Sequence, residues 1–252
     1  MESTESDPYK LDDLVGGNMA TVFFSDVHIG DNKSKHAQLL DYLKSERSTI
    51  DKVVIVGDFL DLWVSPIGGA LSEARPFLEY MFTEYSGRVH YILGNHDEDL
   101  EALKGVVPRI HKSLRFPIGD KVGVALHGHV IDPDKLVRTR VARIAAWIVN
   151  KFNKWGRIDT RKSLISLAAM IENDINKELL KEYEQRIVDI FIGKYDFVIT
   201  GHTHVPCIKR FGSLVYINTG DQMQHSTVVI GKSDGFYLYD YINKKTLDIC
   251  RV

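Results

Sequence analysis

The sequence predicts an α/β protein, because strand-like and helix-like segments alternate along the chain. Short apolar runs of strand length end in polar turns, and segments with leucines at helical spacing follow them. Of the 252 residues, 44% are hydrophobic and 26% are charged, as is typical of a globular protein that buries a sizeable core. This composition excludes a mostly disordered chain and a fibrous one.

The first half of the chain repeats strand, polar turn and helix. Strands are predicted over residues 21–25, 52–56 and 89–93, and helices over residues 36–47 and 71–85. The first helix, for example, places Leu39, Leu40 and Leu43 at helical spacing. Strands that alternate with helices in this way are typical of an α/β sandwich.

The second half contains a long interruption between two predicted strands, residues 122–126 and 197–200. Residues 134–155 and 160–192 between them have the pattern of two long helices. In the second helix one apolar stripe is formed by Leu164, Leu167, Ile171, Ile175, Leu179, Ile187 and Ile190. We therefore expect a helical insertion over about residues 132–192, followed by strands with hairpins around Gly212 and Asp234-Gly235.

Charge and composition restrict the location and partners of the protein. The formal net charge is −2, from 34 acidic and 32 basic residues, so no global field attracts nucleic acid. Two cysteines, Cys207 and Cys250, suit a reducing compartment. No segment approaches the roughly 18 to 20 apolar residues that span a bilayer. Residues 1–18 are acid-rich and lack the pattern of a secretory signal, so we expect a flexible tail, a single domain over 19–252 and a cytoplasmic protein.

Side chains that can bind metal follow five predicted strand ends. They are Asp26 and His28, Asp58, the run Asn95, His96 and Asp97, then His127, and finally His202 and His204. Ligand sites of open α/β sheets lie at the carboxyl ends of strands. Since alternate residues of an extended chain face the same way, both members of an Asp-x-His or His-x-His pair can reach one centre. Each group alone is more often a turn or surface residue, but five such strand ends are hard to explain by turn chemistry.

The ligand types indicate which metals the site would hold. Carboxylate, amide oxygen and imidazole without thiolate suit Mn, Fe or Zn rather than Ca. Two such ions about 3.5–4 Å apart form a clamp for displacement at phosphorus, and they lower the pKa of bound water from about 15.7 toward 7. A site of this kind would suit hydrolysis of a phosphoester or pyrophosphate.

In chain order these residues form the pattern D-x-H, G-D, G-N-H-[DE], H and G-H-x-H. This pattern resembles the signature of the calcineurin-like metallophosphoesterases, and the resemblance extends from about Ala20 to the C-terminus. It implies a four-layer α/β/β/α sandwich with an inserted helical lid and a dinuclear metal centre. The implied reaction is hydrolysis by a metal-bridging hydroxide without a covalent intermediate, with Mn expected in the site and Fe or Zn as alternatives.

The resemblance also implies a role for each residue of the pattern. One metal would be held by Asp26, His28 and His204, and the other by Asn95, His127 and His202. Asp58 would bridge both metals. His96 would lie beside the phosphate without binding metal, as a proton or hydrogen-bond donor, and Asp97 would orient it.

The inserted segment is expected to select the substrate. The stretch 135–162 contains nine basic residues and one acidic residue, and a helical wheel places Trp147 within a basic face that includes Arg140 and Arg143. Such a face suits a membrane surface or an amphiphilic anion, so these three residues are predicted to bind substrate and to allow peripheral membrane contact. The alternative is a solvated surface helix on which Trp147 packs against a neighbour.

Within the family, the layout is similar to that of the UDP-2,3-diacylglucosamine pyrophosphohydrolases of lipid A biosynthesis. Residues 57–63 (GDFLDLW) and 218–221 (NTGD) carry this similarity. Two positions depart from the group, which usually has Arg in place of His96 and Asp in place of His129. These departures leave the metal site intact and concern the substrate. The expected partner is a small-molecule phosphoester, either lipid-linked as in this group or a different phosphoester of a related branch.

Two other functions stay open. A nucleotide or nucleic-acid phosphodiesterase of the same fold is the first, although basic and aromatic residues are concentrated in one helix and the net charge is slightly negative. The second is a scaffold that has lost catalysis. Since every metal-binding position of the pattern and His96 are present, the sequence favours an enzyme over a scaffold.

Overall fold

The computed structural model describes residues 20–97, 103, 107–132 and 177–251. The chain divides into two compact units, one formed by Met1–Gly128 with Phe191–Val252 and the other by His129–Ile190. Among the described residues, no helix is long and apolar enough to cross a membrane.

The first unit contains twelve described strands and two described helices. In chain order these are β1 (Ala20–Phe24), α1 (His36–Ser45), β2 (Ile50–Val56), α2 (Ile67–Glu84), β3 (Val89–Ile92), β4 (Ile110–His111), β5 (Ser113–Ile118), β6 (Lys121–Leu126), β7 (Phe197–Thr200), β8 (Cys207–Phe211), β9 (Leu214–Asn218), β10 (Thr227–Lys232), β11 (Gly235–Asp240) and β12 (Lys245–Arg251). The predicted strands and both predicted hairpins are confirmed.

The strands form two sheets. The first has seven strands in the order β12-β11-β10-β1-β2-β3-β4, and the second has five in the order β5-β6-β7-β9-β8. Strands β1 to β4 run parallel, as do β6, β7 and β9. The carboxyl ends of β1, β2 and β3 therefore lie side by side, and so do those of β6 and β7. This α/β architecture with two sheets confirms the predicted fold class.

Alternation along the central strands separates two cores. Val22 and Phe24 of β1 face the core that contains α1 and α2, whereas Phe23 between them faces the core between the two sheets. Strand β2 behaves in the same way, with Val53 and Ile55 on the helix side. Because both faces of these strands are buried, they are continuous apolar runs in the sequence.

The two helices bury one apolar stripe each. In α1 this stripe is Leu39, Leu40 and Leu43. In α2 the stripe begins at Ala70, while the helix itself begins at Ile67, four residues earlier than the sequence predicts. Gly68 and Gly69 occupy the first turn, and their low helix propensity hides this start in the sequence.

Strand β5 was not predicted from the sequence. Pro117 lies inside it, and a proline within an apolar run argues against a strand. Here the proline is tolerated because β5 is the edge strand of the second sheet. The buried residues Leu114, Phe116 and Ile118 alternate with outward-facing ones and complete the core between the sheets.

The second unit spans His129–Ile190, and most of it lies outside the described residues, so the insertion over about residues 132–192 stays a prediction. That part includes residues 134–155, with Arg140, Arg143 and Trp147, and the first half of the second predicted helix. Residues 177–191 are helical, as predicted. The predicted stripe is partly wrong, because Ile187 is buried while Ile190 is 40% exposed. The buried face runs instead through Tyr183, Ile187 and Val188. The acidic tail also lies outside the described residues.

A histidine pair joins β3 to β4 and makes stability depend on pH. The Nδ1 atom of His90 lies 3.2 Å from Nε2 of His111. Burial lowers the pKa of His90 to about 4, helped by the positive charges of His111, Arg109 and Lys52. The ordinary pKa of histidine is 6.5, so between about pH 6.5 and pH 4 His90 is protonated in the unfolded chain but not in the folded chain. Stability is therefore lost as the pH falls through this range.

We expect His90→Gln to reduce this loss. Urea unfolding near pH 7.5 and near pH 5 should show a decrease in unfolding free energy that is about 2 kcal/mol smaller in the variant than in the wild type. The absolute stability of the variant at one pH is not the criterion, because the substitution also changes packing. The same decrease in both proteins would show that His90 does not carry the effect.

Candidate metal centre

The candidate ligands lie at the carboxyl ends of neighbouring strands of both sheets. Asp26, Asp58 and Asn95 follow the parallel strands β1, β2 and β3. His127 follows β6, and His202 and His204 follow β7. The two sets are joined directly, because the backbone N–H of His202 donates to Asp26 Oδ2 over 3.0 Å. The structure therefore brings residues from distant parts of the sequence to one place.

Most of the strained backbone positions of the described chain are candidate ligands. Seven non-glycine residues of the described chain have positive φ, and five of them are candidate ligands: Asp26, His28, Asp58, His202 and His204, with φ between 50° and 70°. The left-handed conformation costs L-residues roughly 1–2 kcal/mol each. Such strain typically clusters at functional sites, where the surrounding structure holds it in place.

The first candidate metal group consists of Asp26, His28 and His204. Asp26 Oδ1 lies 3.1 Å from His204 Nε2 and 3.8 Å from His28 Nε2. The two Nε2 atoms are 3.4 Å apart. One carboxylate oxygen and two imidazole nitrogens thus converge on a common point that could hold a metal ion. Their assignment to the first metal stays a prediction.

The second group consists of Asp26, Asp58 and His127. Asp58 Oδ2 lies 3.1 Å from His127 Nε2, and His127 Nδ1 donates to the carbonyl oxygen of Val56 over 2.8 Å. This bond fixes the ring so that Nε2 faces the group. Asp26 belongs to both groups, whereas the resemblance places Asp58 between the metals; the bridging role of Asp58 stays a prediction.

His202 and Asn95 lie next to these groups. The ring of His202 packs edge-on against that of His127, with centroids 5.3 Å apart. Asn95 follows Gly94 at the end of β3 and presents a buried Oδ1. Their assignment to the second metal stays a prediction.

Two buried oxygen atoms test whether the residues fit a cation. Among the described residues, Asn95 Oδ1 receives no hydrogen bond, and Asp26 Oδ1 has the His204 imidazole 3.1 Å away but no hydrogen bond of good geometry. The other oxygen of Asp26 is satisfied by the hydroxyl of Ser25 and the N–H of His202. A buried acceptor without a donor costs about 1–3 kcal/mol, which a bound cation would remove. The donor set therefore fits divalent metal ions.

Opposite charges offset the burial of these groups. Burial by itself would raise the pKa of Asp26, but His204 and His28 hold it well below its usual value. Burial likewise opposes ionisation of Asp58, yet His127 lowers its pKa to about 2. Burial would lower the pKa of His28, but Asp26 and Asp61 raise it to about 10. Metal binding must displace protons from such imidazoles.

Two glycines make room for the ligands. A Cβ atom on Gly94 would overlap the Asp58 carboxylate, and one on Gly57 would overlap the ring of His127. Gly57 also has a φ of 87°, which favours glycine. The glycines before Asp58 and Asn95 in the sequence pattern thus admit side chains from neighbouring loops.

His96 lies beside the first group and has partners that the sequence did not reveal. Its Nδ1 atom lies 3.0 Å from Asp61 Oδ1, and its ring stacks on that of Trp63 with centroids 3.8 Å apart. Asp61 was missed because it follows Asp58 by three residues in a segment without a metal-binding pattern. The arrangement also forms a further group of possible ligands, His28, Asp61 and His96.

Asp97 makes its hydrogen bonds elsewhere. It accepts them from the backbone N–H groups of Phe59 and Gly94 and from the hydroxyl of Tyr91, over 2.6 to 2.8 Å. These bonds fix the loop after β3. The predicted role of Asp97 in orienting His96 stays a prediction, and the carboxylate beside His96 is that of Asp61.

Comparison with known proteins identifies the family of the chain. No curated protein matches the chain. Among solved structures, Yfce, a phosphoesterase from E. coli, is 14% identical, covers 93% of this chain and 100% of its own, and has a TM-score of 0.53. Vps29 complexed with Zn²⁺ from Entamoeba histolytica is 17% identical, with coverage of 93% and 98% and a TM-score of 0.48. Residues 19–206 match the family described as calcineurin-like phosphoesterase, and the chain therefore belongs to that family.

Proposed function

We propose that the protein is a dinuclear metal-dependent hydrolase of a phosphodiester or pyrophosphate. The observation that carries the proposal is the convergence of Asp26, Asp58, His28, His127 and His204 on common points, with a buried Asp26 oxygen that, among the described residues, is paired only with the imidazoles of His204 and His28. A charge cluster with only a structural role would be expected to satisfy its buried acceptors internally. Family membership supports the reaction class.

The proposed ligands follow the sequence pattern. Asp26, His28 and His204 would hold one metal and Asn95, His127 and His202 the other, with Asp58 shared. Two divalent ions would supply Lewis-acid stabilisation and an activated water. In our proposal both ions are Mn²⁺. The protein residues would keep the imidazoles oriented, as the carbonyl oxygen of Val56 does for His127.

His96 is proposed to act on the substrate directly. The Asp61 carboxylate can only accept a hydrogen bond, so Nδ1 of His96 carries the proton in their contact. Nε2 is then the atom that can meet a phosphoryl or leaving-group oxygen, and it donates to that oxygen only when both ring nitrogens are protonated. A histidine in this position can donate a proton or hydrogen bond to charge that develops in the transition state.

The proposed substrate is a lipid-linked nucleotide pyrophosphate like UDP-2,3-diacylglucosamine. An apolar rim, formed by Trp63, Val64 and Val205 with exposures of 53%, 62% and 42%, supports an amphiphilic substrate. Trp63 stacks on His96, and Val205 follows the candidate ligand His204. Exposed apolar patches often mark binding surfaces. The second candidate substrate is a nucleotide or nucleic-acid phosphodiester, because the proposed dinuclear metal centre would accept it equally well.

Metal binding should be visible without any substrate. Adding MnCl₂ to metal-free protein should raise its Tm, since free metal at about 100 times Kd adds about 2.7 kcal/mol of stability. Asp58→Asn should reduce this rise strongly, because one buried ligand carboxylate is lost. Asp41→Asn, on the exposed side of α1, is the matched control and should respond like the wild type. An equal rise in all three proteins would contradict the assigned site.

The role of His96 predicts a particular kinetic effect. On a chromogenic phosphodiester, His96→Ala should lower kcat by about 10²- to 10⁴-fold and change KM little, since the contact is made mainly in the transition state. Asn95→Ala should abolish turnover. His36→Ala, which changes a histidine of α1, serves as the control. A His96 variant with raised KM and unchanged kcat would assign this residue to ground-state binding instead.

The substrate is tested by comparing two compounds. We expect Mn-loaded protein to release UMP from UDP-2,3-diacylglucosamine faster than it hydrolyses the chromogenic diester. A variant that combines Arg140→Glu, Arg143→Glu and Trp147→Ala should lose the lipid substrate and keep the diester, whereas Lys181→Glu should keep both. Equal losses of activity on both compounds would refute substrate binding by Arg140, Arg143 and Trp147. If the wild type hydrolysed neither compound, a non-catalytic scaffold would be favoured.

A further inference from the structure

We propose that the edge strand β12 and the turn before it form a docking surface for an anionic lipid bilayer. We call residues 242–251 the β12 strip. Residues 242–249 are all exposed, and they include Ile242, Leu247 and Ile249 with exposures of 45%, 46% and 49%. The inference goes beyond the proposed function, and it does not depend on which phosphoester the candidate metal centre hydrolyses.

Lysines accompany the aliphatic side chains at the first end of the β12 strip. Lys244 and Lys245 lie between Ile242 and Leu247 in the sequence, and both are exposed. Lysine side chains can lay their apolar stems along an interface while their ammonium groups reach the headgroup phosphates. Exposed aliphatic groups next to lysines therefore suit the surface of an anionic bilayer, where apolar burial and charge attraction act together.

Arginines lie at the other end of the strip. Arg210 of β8 and Arg251 of β12 are both exposed, and Nη2 of Arg210 donates to the carbonyl oxygen of Arg251 over 2.9 Å. Two carboxylates lie nearby, and both have local partners. Asp234 pairs with Arg251, and Asp248 accepts a hydrogen bond from the backbone N–H of Ile249 over 2.8 Å. Cationic groups thus flank the aliphatic side chains on both sides, although the whole chain has a net charge of −2.

Hydrogen bonds fix the turn that carries Ile242. Oδ1 of Asp240 accepts hydrogen bonds from the backbone N–H groups of Ile242 and Asn243 over 3.0 and 2.9 Å. Oδ2 of Asp240 accepts one from Nδ2 of Asn243 over 2.7 Å. The turn therefore presents Ile242 in a fixed conformation, and binding to a surface would cost little conformational entropy there.

The strip begins at the end of the first sheet that carries the candidate metal ligands. Strand β11 runs parallel to β1, because β10 between them is antiparallel to both. The turn after β11 therefore lies at the same end of the sheet as Asp26 after β1. Backbone hydrogen bonds connect the two places, since Tyr241 donates to Ser226 over 3.2 Å and Gln222 donates to Asp26 over 3.1 Å. A bilayer in contact with the turn would present its headgroups at this end of the sheet.

A second copy of the chain fits this edge less well than a bilayer does. Edge strands can pair with other chains, but bulges and lysines on an edge oppose such pairing. In β12 the register shifts so that Thr246 and Asp248 pair with successive residues of β11, which leaves Leu247 as a bulge. Protein interfaces are also enriched in aromatic residues and depleted in lysine, whereas residues 242–249 contain two lysines and no aromatic residue.

The experiment measures flotation of the full chain with lipid vesicles. We expect binding to phosphatidylcholine vesicles that contain about 30% phosphatidylglycerol, weaker binding at about 1 M NaCl, and none to phosphatidylcholine alone. A variant that combines Lys244→Glu and Lys245→Glu should bind at least about 30-fold more weakly, since each lysine contributes about 5-fold. Lys112→Glu with Lys194→Glu changes two exposed lysines elsewhere in the first unit and gives the same net charge. This matched control should bind nearly as the wild type does.

The aliphatic side chains are tested separately. A variant that combines Ile242→Thr, Leu247→Thr and Ile249→Thr should bind the anionic vesicles about 10-fold more weakly even at low salt, because apolar burial is lost. Threonine keeps the β-propensity of the strand, so this variant should fold. Ile192→Thr, at a position that is 43% exposed and outside the strip, is the control and should bind as the wild type does.

Three results would overturn the proposal. The first is a wild type that binds neither kind of vesicle, and the second is wild-type binding by both strip variants, which would place the lipid contact elsewhere. The third is a dimer, detected by light scattering, that the same substitutions dissociate, because the strip would then join two copies. Where the threonine variant does not fold, the lysine variant in the exposed turn still decides. Vesicle binding needs neither metal nor substrate, so a failure to hydrolyse phosphoesters would contradict the proposed function alone.

Discussion

The site depends on the burial of two carboxylates of like charge at the ends of adjacent parallel strands. Asp26 and Asp58 are both almost fully buried, and an isolated ionised carboxylate would not persist there. Imidazoles from the second sheet and from the loop after β1 offset this cost, because His204 faces Asp26 and His127 faces Asp58. The pairing ties the two sheets together at the same place where it creates a centre for cations. Removing one partner of such a pair leaves an uncompensated buried charge.

The surrounding fold holds the loops of this charge arrangement in place and leaves room for their side chains. Five candidate ligands adopt the left-handed conformation, and glycines before two of the loops leave space for neighbouring side chains. The apolar runs of β1 and β2 pack into cores on both faces, so their ends are held rigidly. Strain that an isolated loop would release is therefore retained. A preorganised centre of this kind avoids reorganisation when a ligand binds.

Asp61 relates the metal centre to the exposed part of the site. Its loop connects the buried His28 with His96, and Trp63 and Val64 at the end of the same loop contribute to the apolar rim. One short segment after Asp58 thus contacts His28 and His96 and carries two exposed apolar side chains. In our proposal this places the apolar acyl chains of the substrate close to its charged phosphates. The two parts share one hydrogen-bonded support.

The sequence by itself determined the fold class, most strands and the candidate ligands, because these depend on local apolar periodicity and on residue types at strand ends. It did not reveal β5, where Pro117 conceals an edge strand, or the early start of α2, where two glycines conceal a helical turn. The contact between Asp61 and His96 joins residues on loops after different strands, which no local pattern encodes. Nor could spacing show that Asp26 belongs to both metal groups. These features were decided by the tertiary structure, since only the pairing of strands and the packing of two sheets bring distant loops within hydrogen-bonding distance.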